Sequence, residues 1–180
     1  MIQFATYAEM RGWAQLPRTI NFSKQASVLS GKTVFLSHAS ADNDLVPGAV
    51  LILENHGGRV YVDNRDPSLP GSDCVAIADH LRQVIKKTRQ FVMLATPRSK
   101  DSKWIPWELG LGDGIHGERD VVLFPSAETW HETQWSEREY LGLYKRIVYG
   151  DHTSHPDKKI WMVINPRTFE AIPLEDWIRN

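Results

Sequence analysis

At 180 residues, with 42% hydrophobic and 24% charged residues, the chain is long enough for one domain with a sizeable core and has an ordinary soluble composition. A net charge of −1 gives no electrostatic basis for a nucleic-acid or membrane partner, and neither a membrane-length apolar run nor a basic-then-apolar leader is seen. The single cysteine, Cys74, excludes an internal disulfide and points to a reducing cytoplasm.

Residues 1–31 read as an N-terminal extension. Thr6-x-x-Glu9 has the spacing of a capping box for a short helix that ends near Gly12 or Pro17. The pattern changes at Thr33, where Thr33–Ser37 is a short β-favouring run of the kind buried on both faces. A polar loop, His38 to Asp44, leads to Pro47 in a first helical turn, and Val46, Ala49, Val50 and Leu53 then share one helical face. Gly57-Gly58 stops that helix before a second strand, Arg59–Val62. The following loop, Asp63 to Gly71, is rich in Pro and Gly and carries Leu69 in an otherwise polar stretch. Ser72 or Asp73 caps a helix with Ile77, Leu81 and Ile85 on its core side.

Gln90–Thr96 is the third strand, Trp104–Gly114 the third helix and Val121–Phe124 the fourth strand. Ser136-x-x-Glu139 marks a helix over Glu137–Tyr144, Lys159–Asn165 is a fifth strand, and Pro173 opens a closing turn or helix. Strand and helix alternate throughout, which predicts a five-stranded parallel sheet with helices on both faces.

Glu108 is the most informative residue. It opens a helix at the carboxyl end of a central strand, where open α/β sheets bind ligands, and Trp104 and Trp107 flank it. Pro106 suits the first turn and holds Glu108 near the positive end of the helix. The plain alternative is a solvated surface glutamate. Ser37-His38-Ala39-Ser40 follows the first strand on the same edge, offering hydroxyls and an imidazole to phosphate or ribose; equally, Ser40 or Asp42 organises a turn. Adjacent Ser37 and His38 do not make a Ser-His-Asp triad. His131, His152 and His155 match no zinc spacing. Gly110-x-Gly112-x-Gly114 reads as a helix stop. Trp130 and Trp135 leave the sheet on the carboxyl edge, either to pack under the next helix or to line the acceptor side of a cleft.

Together these motifs resemble Toll/interleukin-1 receptor (TIR) domains of bacterial type. Val34-Phe-Leu-Ser-His38 with Asp42 is similar to the first signature box, and Val60–Asp63 with Leu69-Pro-Gly71 to the second strand and its loop. Val92–Ser99 followed by Ser102-x-Trp104-x-x-x-Glu108-Leu109 resembles the third strand and the helix bearing the family's catalytic glutamate. The match covers about residues 32–126, with residues 127–180 completing a TIR domain over 32–180.

The resemblance implies a three-layer flavodoxin-like fold and cleavage of NAD⁺ at the nicotinamide–ribose bond. Glu108 is then the catalytic residue. Ser37, His38, Asp66 and Trp104 are substrate-binding positions, Asp66 lying on the loop that gates the cleft. NAD⁺ is substrate, with no metal or organic cofactor required. The resemblance further implies a homo-oligomer through the TIR domain and a nucleotide signal read by a downstream effector, as in Thoeris-type antiphage systems. The Ile105-Pro106-Trp107 spacer departs from the more usual polar one. Two other classes stand beside this reading: a TIR interaction module without turnover, and an enzyme like the nucleoside deoxyribosyltransferases. The latter acts on a neutral nucleoside and so needs a proton donor for the leaving base.

Overall fold

In the computed structural model, which describes residues 2–17, 31–62, 74–133 and 139–180, short β-favouring runs alternate with helices to build one mixed sheet. Its parallel strands are β2 (Val34–Ser37), β3 (Val60–Val62), β4 (Gln90–Ala95), β5 (Val121–Ala127) and β6 (Lys145–His152). They lie in the order β3-β2-β4-β5-β6, the flavodoxin-like order, which reverses direction between β2 and β4.

The expected five parallel strands are therefore present, with one reassignment. The run expected as the fifth, Lys159–Asn165, belongs to β7 (His155–Ile164), which is antiparallel to β6. The parallel position is taken by Lys145–His152, which sequence reading left unassigned. A tight turn at Thr153-Ser154 makes β6 and β7 a hairpin, with His152 paired to His155. Antiparallel β8 (Ala171–Pro173) extends that edge. Of the expected helix over Glu137–Tyr144, Glu139–Leu143 forms a 3₁₀ turn, while its start and the capping residue Ser136 lie outside the described residues.

Helices cover both faces because successive strand residues point to opposite sides. Val34, Leu36, Val92, Leu94, Val122 and Phe124 pack under α1 (Tyr7–Ala14), α2 (Val46–Asn55) and α5 (Leu174–Arg179). Phe35, Phe91, Met93 and Leu123 face α3 (Cys74–Lys87) and α4 (Ile105–His116). On that second face Phe35 stacks between Tyr61 and Phe91, with centroids 5.7 and 5.3 Å away. Gly112 lets α4 settle onto this floor: a Cβ there would lie 2.7 Å from the Phe91 ring. Gly112 is thus a packing position inside the helix, not the stop expected of it. The helix runs on to His116 and ends at Gly117, whose φ of 74° suits glycine alone.

The first residues are built into this body. Thr6 caps α1 with the full reciprocal box, its hydroxyl accepting from the Glu9 amide at 3.2 Å while Glu9 accepts from the Thr6 amide at 2.8 Å. Ahead of it, β1 (Ala5–Thr6) pairs with Ser126 and Ala127 of β5, while Gln3 exchanges two backbone hydrogen bonds with Tyr149 of β6. The segment thus sits in the gap where β5 and β6 diverge. Helix α1 then docks on α2 at Gly48, where a Cβ would meet the Met10 carbonyl at 2.4 Å. Among the described residues no helix is long and apolar enough to cross a membrane.

Candidate active site

Two strand ends define the site. Ser37 closes β2, the strand on one side of the topological reversal, and Thr96 follows β4 on the other. Helix α4 begins nearby with Pro106 in its first turn, and the Ser102 hydroxyl accepts from the Ile105 amide at 3.3 Å. Glu108 is therefore held one turn into the helix, its amide bonded to the Trp104 carbonyl at 2.9 Å.

The sequence left Glu108 between a solvated and a site residue, and it is buried, 3% exposed. Its Oε2 accepts a hydrogen bond of 2.5 Å from the Ser37 hydroxyl, and Ser37 is itself fully buried. The hydroxyl satisfies one oxygen of a buried carboxyl group that the first turn of the helix holds in place. The bond also fixes the carboxylate at the carboxyl edge of the sheet. Trp104 stands at the lip, 37% exposed, with Trp107 edge-on at 5.6 Å and Arg82 of α3 lying 5.4 Å over the Trp107 ring.

His38 is buried next to Ser37 in sequence, and its Nε2 lies 3.0 Å from Oδ1 of Asn43. With a carboxamide oxygen as acceptor, Nε2 carries the hydrogen. The 3₁₀ turn Ser40–Asp42 shapes this loop without a side-chain cap, and the Asp42 side chain reaches away from it. Its side chain is fully buried and accepts from Thr96 Oγ1 at 2.7 Å, tying the loop after β2 to the end of β4. Arg98 reinforces the tie through the Ala41 carbonyl at 3.0 Å and Asp44 at 3.3 Å, and its guanidinium stands 3.8 Å from Asp42. Burial pushes the Asp42 carboxyl up from its ordinary range, against the Thr96 hydrogen bond, the Arg98 guanidinium and the neighbouring His38 ring.

Sequence reasoning missed Thr96, Arg98 and Tyr7 as parts of this scaffold. Thr96 caps the turn Pro97–Asp101 reciprocally with Ser99, a local signal that Thr-Pro-x-Ser carries in the sequence. Tyr7 reaches the site from α1, with the Arg98 guanidinium 4.8 Å above its ring, and no local pattern announces such a contact. Arg11 of the same helix bonds Asp44 at 2.7 Å.

Asp66 and Trp135 lie outside the described residues, as does the loop residue Leu69. Trp130 is 40% exposed, its ring edge-on to His131 at 5.1 Å, and its carbonyl accepts from the Phe4 amide at 3.3 Å. Among the described residues no group of three or more metal-ligating side chains converges.

A TIR domain family model matches residues 34–159 of the chain. A protein of Bacillus cereus (strain MSX-D12) named "Probable 3′ cyclic ADP-D-ribose synthase ThsB′" is 26% identical over 152 residues, spanning 82% of this chain and 75% of its own length.

Proposed function

The chain belongs to the TIR domain family, and from that premise we propose that it cleaves the nicotinamide–ribose bond of NAD⁺ and converts the rest into an ADP-ribose-derived signal. The Ser37–Glu108 hydrogen bond at the carboxyl edge of the sheet carries this reading. An interaction module has no use for a buried carboxylate aimed by a buried hydroxyl, whereas this reaction does.

Nicotinamide in NAD⁺ bears a positive charge and departs as a neutral base, so no general acid is required of the site. The ribose left behind is oxocarbenium-like. Glu108 stabilises that charge, an effect worth ~10²–10³ in rate for a well-aimed group in a water-poor site. As the C1–N bond breaks, its electron pair leaves with nicotinamide. A hydroxyl of the adenosine-side ribose then bonds to C1 and gives its proton to Glu108. The name of the Bacillus relative supports this cyclic outcome over simple hydrolysis. His38 and Trp104 bind the substrate beside Ser37, with Asp66 on the gating loop. A signal of this kind fits antiphage defence of the Thoeris type, with a downstream effector as receiver, and self-association through the TIR domain belongs to the same proposal.

The test is incubation of the full chain with NAD⁺ and mass spectrometry of the products. Nicotinamide together with a cyclic isomer of ADP-ribose is expected. Free ADP-ribose as sole nucleotide would make the protein a plain hydrolase, and absence of nicotinamide would return it to the interaction modules. Cleavage of neutral nucleosides in preference to NAD⁺ would favour the deoxyribosyltransferase reading.

A further inference from the structure

On the sheet face away from Glu108 lies a cavity of about 330 Å³, within the ~300–1,000 Å³ that small-molecule sites occupy. Three elements build its walls. Trp13 comes from α1, and Tyr149 and Trp161 are directly opposed residues of the β6–β7 hairpin. The two indoles meet nearly at right angles, 79° with centroids 5.9 Å apart, and Tyr149 lies 5.3 Å from Trp161 at 48°. Gln3 and Glu9 supply polar groups from the N-terminal segment. Glu9 is the only formally charged residue among the described lining residues.

Core packing alone explains why these rings touch one another. It does not explain a cavity of this volume left beside them, with Glu9 among its lining residues. Aromatic faces attract cations through their quadrupoles, and rings set at an angle contact a compact cation on two sides. The Glu9 carboxylate has the complementary charge. An anion, by contrast, meets no basic residue among the described lining residues.

We propose that this cavity is a binding site for a small organic cation of the alkylammonium class, held by Trp13, Tyr149 and Trp161 and neutralised by Glu9. The site is separate from the one that cleaves NAD⁺, and the proposal does not rest on that activity.

Choline and its neutral carbon analogue 3,3-dimethylbutan-1-ol differ in charge at nearly constant shape, and calorimetric titration of the full chain with each is the test. Saturable 1:1 binding of choline is expected, with the neutral analogue at least ~10-fold weaker. Trp13→Leu should abolish the binding. Glu9→Gln keeps an acceptor for the helix cap and removes only the charge, so it should weaken choline ~3–10-fold while the melting temperature stays put. Glu108→Gln should bind choline as the wild type does. Equal binding of the two probes, no saturable binding, or wild-type affinity in Glu9→Gln would overturn the proposal, whether or not Trp13→Leu folds. Loss of choline binding in folded Glu108→Gln would also overturn it, by assigning the cation to the catalytic site.

Discussion

The Ser37 hydroxyl and the Glu108 carboxylate, contributed by the end of β2 and the first turn of α4, meet at 2.5 Å in a place closed to bulk water. The strand is rigid through its pairing with both β3 and β4, so the bond aims the carboxylate from a fixed base. Position and charge are therefore separable by mutation.

Glu108→Gln keeps the size of the side chain and an oxygen that can accept from Ser37, while removing the charge that opposes the oxocarbenium. NAD⁺ turnover should fall ~10²-fold or more with an unchanged melting temperature. Near-normal nicotinamide release from the folded variant would dismiss Glu108 as the catalytic group.

Ser37→Ala leaves the charge and removes what aims it. A hydrogen bond to a charged group is worth ~1.5–3 kcal/mol, so kcat should drop ~10-fold or more. KM should move much less, since the lost contact orients Glu108. Steady-state kinetics distinguish this from a binding role: a raised KM at constant kcat would make Ser37 a substrate contact only.

Asp42 predicts a pH dependence of stability. Its folded carboxyl titrates above the ordinary 3.8, with burial the largest cause. Below that value both folded and unfolded chains hold the proton, and burial carries no penalty. As pH rises, the unfolded chain releases its proton first, so the stability present in acid is lost until the folded group has ionised too. Asp42→Asn lacks this titration and retains an oxygen for Thr96. Its melting temperature should therefore rise relative to wild type as pH goes from about 3.8 up through the raised folded value, then hold a constant offset. Thermal melts across a pH series would show this, and a pH-independent offset would mean that the native site does not shift Asp42.

Two glycines on α4 should respond oppositely to alanine. At Gly112 the new methyl meets the Phe91 ring at 2.7 Å, so overpacking should cost ~1–3 kcal/mol and displace the helix that carries Glu108, lowering turnover as well. At Gly114 nothing lies within 4 Å, and removing backbone freedom in a helix interior should stabilise by ~0.5–1 kcal/mol with activity unchanged. Chemical denaturation of the pair checks both signs, and equal effects at the two positions would refute the packing argument.

What the sequence discloses follows from how local each cause is. The Thr6–Glu9 box, the helix after Trp104 and the Gly57-Gly58 stop depend on residues three or four apart, and they form where their spacing indicates. Alternation of strand and helix likewise disclosed the parallel core. Lys145–His152 escaped notice because its polar ends conceal the short Ile147-Val148 pair that it buries. The tie from Asp42 to Thr96, with Arg98 and Tyr7 beside it, joins positions that only the folded sheet brings together. Glu108 could be singled out by its place after a strand, but its partner Ser37 is fixed by strand order, which periodicity does not encode.

The seating of the N-terminal strand makes one short helix answerable for two distant regions. Ala5 and Thr6 join an edge far along the chain, at Ser126 and Ala127, and Gln3 joins Tyr149 further along still. Helix α1 also has a nearer dock on α2, where the fully buried Met10 lies against Gly48. Helix α1 is too short to persist alone in water, so its order depends on both docks. Loosening either dock would therefore withdraw Arg11 from Asp44 and Tyr7 from Arg98, so the loop after β2 leans on a helix that contributes neither Ser37 nor Glu108.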